Sequence, residues 1–207
     1  MKEHPSKFKG MESPLESLVM VPFRILRQQL FSPFTALLAR IGVTADMISF
    51  AALVPALGFC VMAPLNFSIA LWLMVAALMC DGLDGVLARQ TGASNLGGAF
   101  TDTCCDLAVL TCFLAGLVWY GTVNPVLALF FLFMYTFFGI FFVLHHLVHA
   151  STRWLMRPGK SLFCLVLFID FMFHVRLVDA LLFIYLLAFP LLGVSFWRLK
   201  KALASHS

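Results

Sequence analysis

The chain has 207 residues, of which 62% are hydrophobic and 12% charged, and its mean hydropathy is +0.98. A soluble domain carries about 25% charged residues, and one small core cannot hide so much apolar surface, so composition excludes a water-soluble globule and places most of the chain in lipid. The net charge of +4 comes without a long basic run, which excludes a nucleic-acid-binding surface.

The first twenty residues mix both charges and contain no continuous apolar stretch, so no secretory signal is expected. The following stretch, LVMVPFRILRQQLFSPFTALLARIG, sets Phe23, Leu26 and Leu30 in one apolar stripe with Arg24, Arg27 and Gln28 around it. Pro22 and Ser32-Pro33 suit helix starts. A short amphipathic helix is therefore expected at the cytoplasmic interface, its basic residues near anionic lipid. Residues 1–44 form this N-terminal segment, and residues 45–207 are expected to form a six-helix membrane domain.

A transmembrane helix needs about 20 mostly apolar residues, with every backbone polar group satisfied inside the helix. Six stretches qualify: 46–62, 66–84, 98–120, 124–148, 161–175 and 177–199. Turn chemistry separates them at Ala63-Pro64-Leu65-Asn66, across 121–125, and at Arg157-Pro158-Gly159-Lys160. The fold class read from this pattern is an all-α integral membrane protein with six transmembrane helices and an interfacial N-terminal helix. In that topology Arg176 alone lies on one side, leaving thirteen of the fourteen Lys and Arg residues on the other. The positive-inside rule then makes both termini cytoplasmic. The chain is expected in a bacterial inner membrane. The six cysteines follow no ligand spacing and read as reduced packing residues. The Phe-rich run FFLFMYTFFGIFF reads as lipid-facing packing.

Among the acidic residues in or at the ends of these spans, Asp81, Asp84, Asp102, Asp106 and Asp170 are singled out. An ionised carboxylate there costs several kcal/mol unless it is paired or metal-bound, which marks it as functional. Asp81 and Asp84 share one helix face at i, i+3, and Asp102 and Asp106 share another at i, i+4. A hairpin through 91–97 brings the two helix ends together on the cytoplasmic side. Gly85, Ala88 and Gly98 leave room for close backbone approach. Four convergent carboxylates call for cations, and an all-oxygen set suits Mg²⁺, Mn²⁺ or Ca²⁺ rather than zinc. Arg89, one turn beyond Gly85, is placed as a phosphate clamp. Metal-assisted phosphoryl chemistry and ion or proton transport both remain open on this geometry. Arg89, Gly85 and Gly98 favour transfer, because conduction has no evident need of them.

The segment from Asp81 to Asp106 resembles the CDP-alcohol phosphotransferase signature D-x2-D-G-x2-A-R-x8-G-x3-D-x3-D, with every interval kept at Asp81, Asp84, Gly85, Ala88, Arg89, Gly98, Asp102 and Asp106. The resemblance implies transfer of a phosphoalcohol, in the first instance a phosphatidyl group, from a CDP-linked donor such as CDP-diacylglycerol to an acceptor alcohol, with release of CMP. It implies two ions, Mg²⁺ or Mn²⁺, held by Asp81, Asp84, Asp102 and Asp106, with Asp106 as the general base. It further implies Arg89 on a donor phosphate, space for the nucleotide over Gly85 and Ala88, and a homodimer. A CDP-choline- or CDP-ethanolamine-type transferase acting on diacylglycerol is the alternative within the class. Upstream, Gly42, Val43, Thr44 and Asp46 resemble the family's entry to its first span, with Ala45 where proline is usual. Inositol-phosphate-type members often carry arginine directly after the last motif aspartate. Leu107 stands there, and no inositol-phosphate acceptor is assigned.

Secondary candidates lie downstream. Arg153, Arg157 and Lys160, beside His145, His146 and His149, serve either to recognise an acceptor or headgroup phosphate or as ordinary cytoplasmic anchors. The histidines read as interfacial polar residues rather than a metal site. Asp170 either lines an acceptor cavity or hydrogen-bonds within the bundle, and Arg176 with Asp179 is expected to form an outer-surface pair.

Overall fold

The computed structural model describes residues 14–92, 96–147, 160–173 and 177–204. Among these the chain is helical apart from short turns, with no strand. The helices are α1 (Pro14–Arg40), α2 (Ala45–Ala51), α3 (Leu53–Met62), α4 (Phe67–Gln90), α5 (Leu96–Tyr120), α6 (Pro125–Leu147), α7 (Lys160–Phe173), α8 (Leu177–Leu186) and α9 (Phe189–Ala204). The protein is an all-α integral membrane protein.

Four stretches among the described residues are long and apolar enough to cross a membrane: Ala45–Met62, Phe67–Gln90, Gly97–Tyr120 and Leu177–Lys201. Two shorter apolar helical stretches, Pro125–Phe141 and Leu162–Phe173, occupy the places of the remaining expected spans. Exposed aromatics suit the two membrane interfaces. Trp119 and Tyr120 lie at the end of α5 away from the aspartates, and Trp197 lies near the C-terminal end of α9, with the Lys201 ammonium 5.6 Å from its ring centre.

Local sequence explains where the helices stop. Gly42 and Gly121 adopt φ of +82° and +81°, left-handed values at which glycine carries no Cβ penalty. Each closes its helix with paired bonds: Val43 and Gly42 donate to Leu38 and Ala39, and Thr122 and Gly121 donate to Leu117 and Val118. Thr44 caps α2 by accepting from the Met47 N–H, and Asn66 caps α4 by accepting from the Ile69 N–H. Ala45 therefore occupies the first helical position, where proline is equally at home.

Proline acts in three different ways. The first span is divided at Ala52 because Pro55 offers no N–H to the Ala51 carbonyl and crowds it. The last span is divided between Leu186 and Phe189 because Pro190 does the same to Leu186. Pro22 and Pro33, expected as helix starts, instead lie inside one continuous 27-residue helix, α1. Around Pro33 the contacts of Phe31, Ser32 and Thr35 with α4 offset the missing backbone bond. The apolar stripe of α1 also continues past them: Leu30, Phe34, Leu37 and Ile41 are exposed on one side, while Thr35 is fully buried.

The core sits where α3 packs on α4 and α5, around Phe59, Met74, Phe113 and Leu117, and extends through Phe131 and Phe163 to Leu182. Lipid is as apolar as these side chains, so the association depends on close fit rather than on exclusion of water. The closest fit is at Gly116, where a Cβ would stand 3.0 Å from the Cys60 Cα and 3.2 Å from the Ala63 Cβ. The Phe-rich run of α6 divides its faces instead of turning all of them to lipid. Phe131, Met134, Phe138 and Phe141, at helical spacing, are buried, whereas Phe130, Phe133 and Ile140 are exposed. Among the cysteines, none is disulfide-bonded; Cys105 and Cys164 are buried and Cys104 is exposed.

Candidate active site

The last turns of α4 and the first turns of α5 carry the aspartates, and the N-terminus of α7 meets them. Carboxylate oxygens of Asp81, Asp102 and Asp106 lie within 4.8 Å of one another. Ligands at about 2.1 Å from a small octahedral ion are separated by about 3 to 4 Å, so this hard oxygen set fits Mg²⁺ or Mn²⁺. Lys160, 7% exposed, inserts its ammonium between two of them, 2.9 Å from Asp81 Oδ1 and 2.5 Å from Asp106 Oδ1. These contacts show that the site already holds positive charge. They also bring a residue from the cytoplasmic loop between the fourth and fifth expected spans into the motif itself.

Asp84 is arranged differently. It is buried, it stands outside the three-carboxylate group, and its Oδ2 accepts a 2.5 Å hydrogen bond from the Ser49 hydroxyl of α2. That bond ties the first span to the motif helix and fixes the carboxylate's orientation.

Gly82 and Gly85 leave room for side chains of α1. A Cβ on Gly82 would lie 3.1 Å from the Phe31 ring, and one on Gly85 would lie 3.1 Å from Arg27 Nη2 and 3.6 Å from Arg89 Nη1. Gln90, just after Arg89, clasps α1. Its Nε2 donates to Ser32 Oγ at 2.7 Å, and its Oε1 accepts from the Thr35 hydroxyl at 2.7 Å.

Ser49, Gly82, Gln90 and the inward placement of Arg27 were not singled out by sequence reasoning. The signal available for Ser49 was a hydroxyl in an apolar span, and for Gly82 a second glycine one turn before Gly85. Among the secondary candidates, Asp170 Oδ2 accepts from the Val178 N–H at 3.3 Å, joining α7 to the start of α8. Asp179 Oδ1 accepts from the Asn124 N–H at 3.0 Å, joining α8 to the α5–α6 turn. Arg153, Arg157, His149 and Arg176 lie outside the described residues, and His145 and His146 belong to α6.

A half-buried cluster of carboxylates around a buried ammonium, with guanidinium groups nearby, at one end of a membrane helix bundle defines a polar intramembrane site of the kind used to handle phosphorylated substrates. A family model described as CDP-alcohol phosphatidyltransferase matches residues 42–196, and the chain belongs to that family. Members transfer substituted phosphate groups, so the protein is a transferase that moves a phosphoalcohol from a CDP-alcohol. Membership decides between transfer and ion transport in favour of transfer. No curated protein sequence matches the chain.

Proposed function

We propose that the chain transfers a phosphatidyl or similar phosphoalcohol group from a CDP-linked lipid, CDP-diacylglycerol in the first instance, to an acceptor alcohol in phospholipid biosynthesis. The observation that carries this reading is the convergence of Asp81, Asp102 and Asp106 within 4.8 Å, beside the buried Lys160. Asp81, Asp84, Asp102 and Asp106 would hold Mg²⁺ or Mn²⁺, two ions by family likeness. When bound, the metal supplies positive charge to the donor diphosphate and the departing CMP.

The chain's own groups provide the rest. Asp106 takes the proton from the acceptor hydroxyl as its oxygen attacks the donor's β-phosphorus. The bond from that phosphorus to the bridging oxygen breaks, and the oxygen leaves on CMP. Ser49 holds Asp84 in position. Lys160 lies on the acceptor side of Asp106, with Arg153 and Arg157 preceding it in the chain as further headgroup candidates. Arg89 holds a donor phosphate beside Gly85 and Ala88. Six spans with both termini cytoplasmic, in a bacterial inner membrane, would let CMP leave to the cytosol and a lipid donor enter from the bilayer. Residues 45–207 would form this catalytic domain, preceded by the segment 1–44. Family likeness also favours a homodimer.

The test is CMP release by purified full-length protein supplied with CDP-diacylglycerol, CDP-choline or CDP-ethanolamine against a panel of polar alcohols and diacylglycerol. CMP that depends on CDP-diacylglycerol and one polar alcohol supports the reading and identifies the acceptor. CMP formed only from CDP-choline or CDP-ethanolamine with diacylglycerol would replace it with the soluble-donor alternative.

A further inference from the structure

Arg27 is in an unusual position for a residue on an amphipathic juxtamembrane helix. Arg27, Phe31 and Thr35 follow one another at i, i+4 and i+8, so they share one face of α1. That face lies on α4: Thr35 bonds Gln90, Phe31 lies over Gly82, and Arg27 reaches both Gly82 and Gly85. The Gln90 clasp on Ser32 and Thr35 sets the position of α1, and thereby that of Arg27.

The guanidinium is directed at the motif and is incompletely satisfied there. Its Nε is buried without a hydrogen-bond partner. Its Nη2 and the Nη1 of Arg89 both lie within 3.6 Å of the point a Gly85 Cβ would occupy, so they are less than about 7 Å apart. A buried donor without an acceptor is costly. That cost is removed by an anion resting against the two guanidinium groups beside Gly85, where the missing Cβ leaves them room. Guanidinium forks match phosphate oxygens in geometry, and Asp81, one of the aspartates that would hold metal, is one turn away on the same helix.

We propose that Arg27 of α1 is a ligand for the diphosphate of the CDP-linked donor, closing over it opposite Arg89. The proposal rests on the transfer reading above. It goes beyond the family match, which begins at residue 42 and so does not include α1. The exposed apolar side of α1 suits a bilayer surface, so the phosphate bound by Arg27 has two chemical sources, the donor diphosphate or an anionic lipid headgroup.

The experiment measures binding of CDP in the presence of Mg²⁺ to full-length protein in nanodiscs of neutral lipid, and again in nanodiscs containing anionic lipid. Arg27→Gln and Arg27→Lys are compared with the unaltered protein, and thermal unfolding checks that each variant is folded. Loss of a charge-assisted phosphate contact is expected to weaken CDP binding by about tenfold to a hundredfold in Arg27→Gln. The loss should appear in both lipid mixtures, with a smaller loss in Arg27→Lys, which keeps the charge. The KM for the donor should rise in parallel, and the KM for the acceptor should stay unchanged. CDP binding by both variants equal to that of the unaltered protein would overturn the role of Arg27 while leaving the transfer reading intact. A difference seen only with anionic lipid would assign the residue to a headgroup and overturn it likewise. If the unaltered protein neither bound CDP nor released CMP from any CDP-alcohol, the transfer reading would fail and this proposal with it.

Discussion

The ammonium of Lys160 stands 2.5 Å from the carboxylate of Asp106, although 54 residues separate them in the chain. The same nitrogen is 2.9 Å from Asp81, so one lysine links the start of α7 to both motif helices. Positive charge here offsets carboxylate repulsion that would otherwise oppose packing of α4 and α5.

Replacing Lys160 with Met should therefore destabilise the metal-free protein by about 3–5 kcal/mol, because it leaves buried acids uncompensated. Added Mg²⁺ or Mn²⁺ should restore much of that loss. Thermal unfolding with EDTA and with metal is expected to show a larger metal-dependent rise in Tm for Lys160→Met than for the unaltered protein. An equal rise would mean that the lysine and the metal do not share the site.

Ser49 tests the different status of Asp84. Ser49→Ala removes the 2.5 Å bond to a buried carboxylate while leaving the three-carboxylate group in place. A hydrogen bond to a charged group contributes about 1.5–3 kcal/mol, so the metal concentration for half-maximal activity should rise by about tenfold or more. The KM for the acceptor should be unaffected. Ser49→Thr, which keeps a hydroxyl, should recover part of the loss.

Packing of the bundle gives a prediction independent of chemistry. At Gly116 an added Cβ would meet the Cys60 backbone at 3.0 Å and Phe59 at 3.1 Å, whereas at Gly193 it would meet nothing within 4 Å. Gly116→Ala should cost about 1–3 kcal/mol, and Gly193→Ala should be close to neutral. Both should retain the catalytic rate per folded molecule. The unfolding midpoints of the two variants in one detergent check this.

What could be read from the sequence depended on how local the determining interaction was. The caps at Thr44, Asn66, Gly42 and Gly121, and the i, i+3 and i, i+4 aspartate pairs, are set within a few residues. They mark the helix ends and the chemistry of the motif directly. Ser49, Lys160 and Arg27 acquire their meaning from partners far along the chain; the basic loop marks Lys160 as a headgroup or anchor candidate, but nothing local points to its contacts with Asp81 and Asp106. Arg27 illustrates the difficulty, since local amphipathicity placed it beside the apolar stripe of an interfacial helix. Its side chain instead turns to α4, because Thr35 and Ser32 engage Gln90. Pro33 has the usual marks of a helix start, yet α1 runs through it. The break at Pro55, by contrast, follows the ordinary local rule and was overlooked because hydropathy across 46–62 is continuous.

The most direct test of the central claim is metal-dependent release of CMP from a CDP-alcohol by the full-length protein and by Asp106→Asn. Acceptor-dependent CMP is expected in Mg²⁺ or Mn²⁺, none in excess EDTA, and recovery when metal is returned. Asp106→Asn, shown to be folded by a cooperative unfolding transition above the assay temperature, should be slower by about 10²–10⁴-fold, the usual range for loss of a general base. CMP release that persisted in EDTA, or that was unchanged in Asp106→Asn, would contradict the roles proposed for the aspartates.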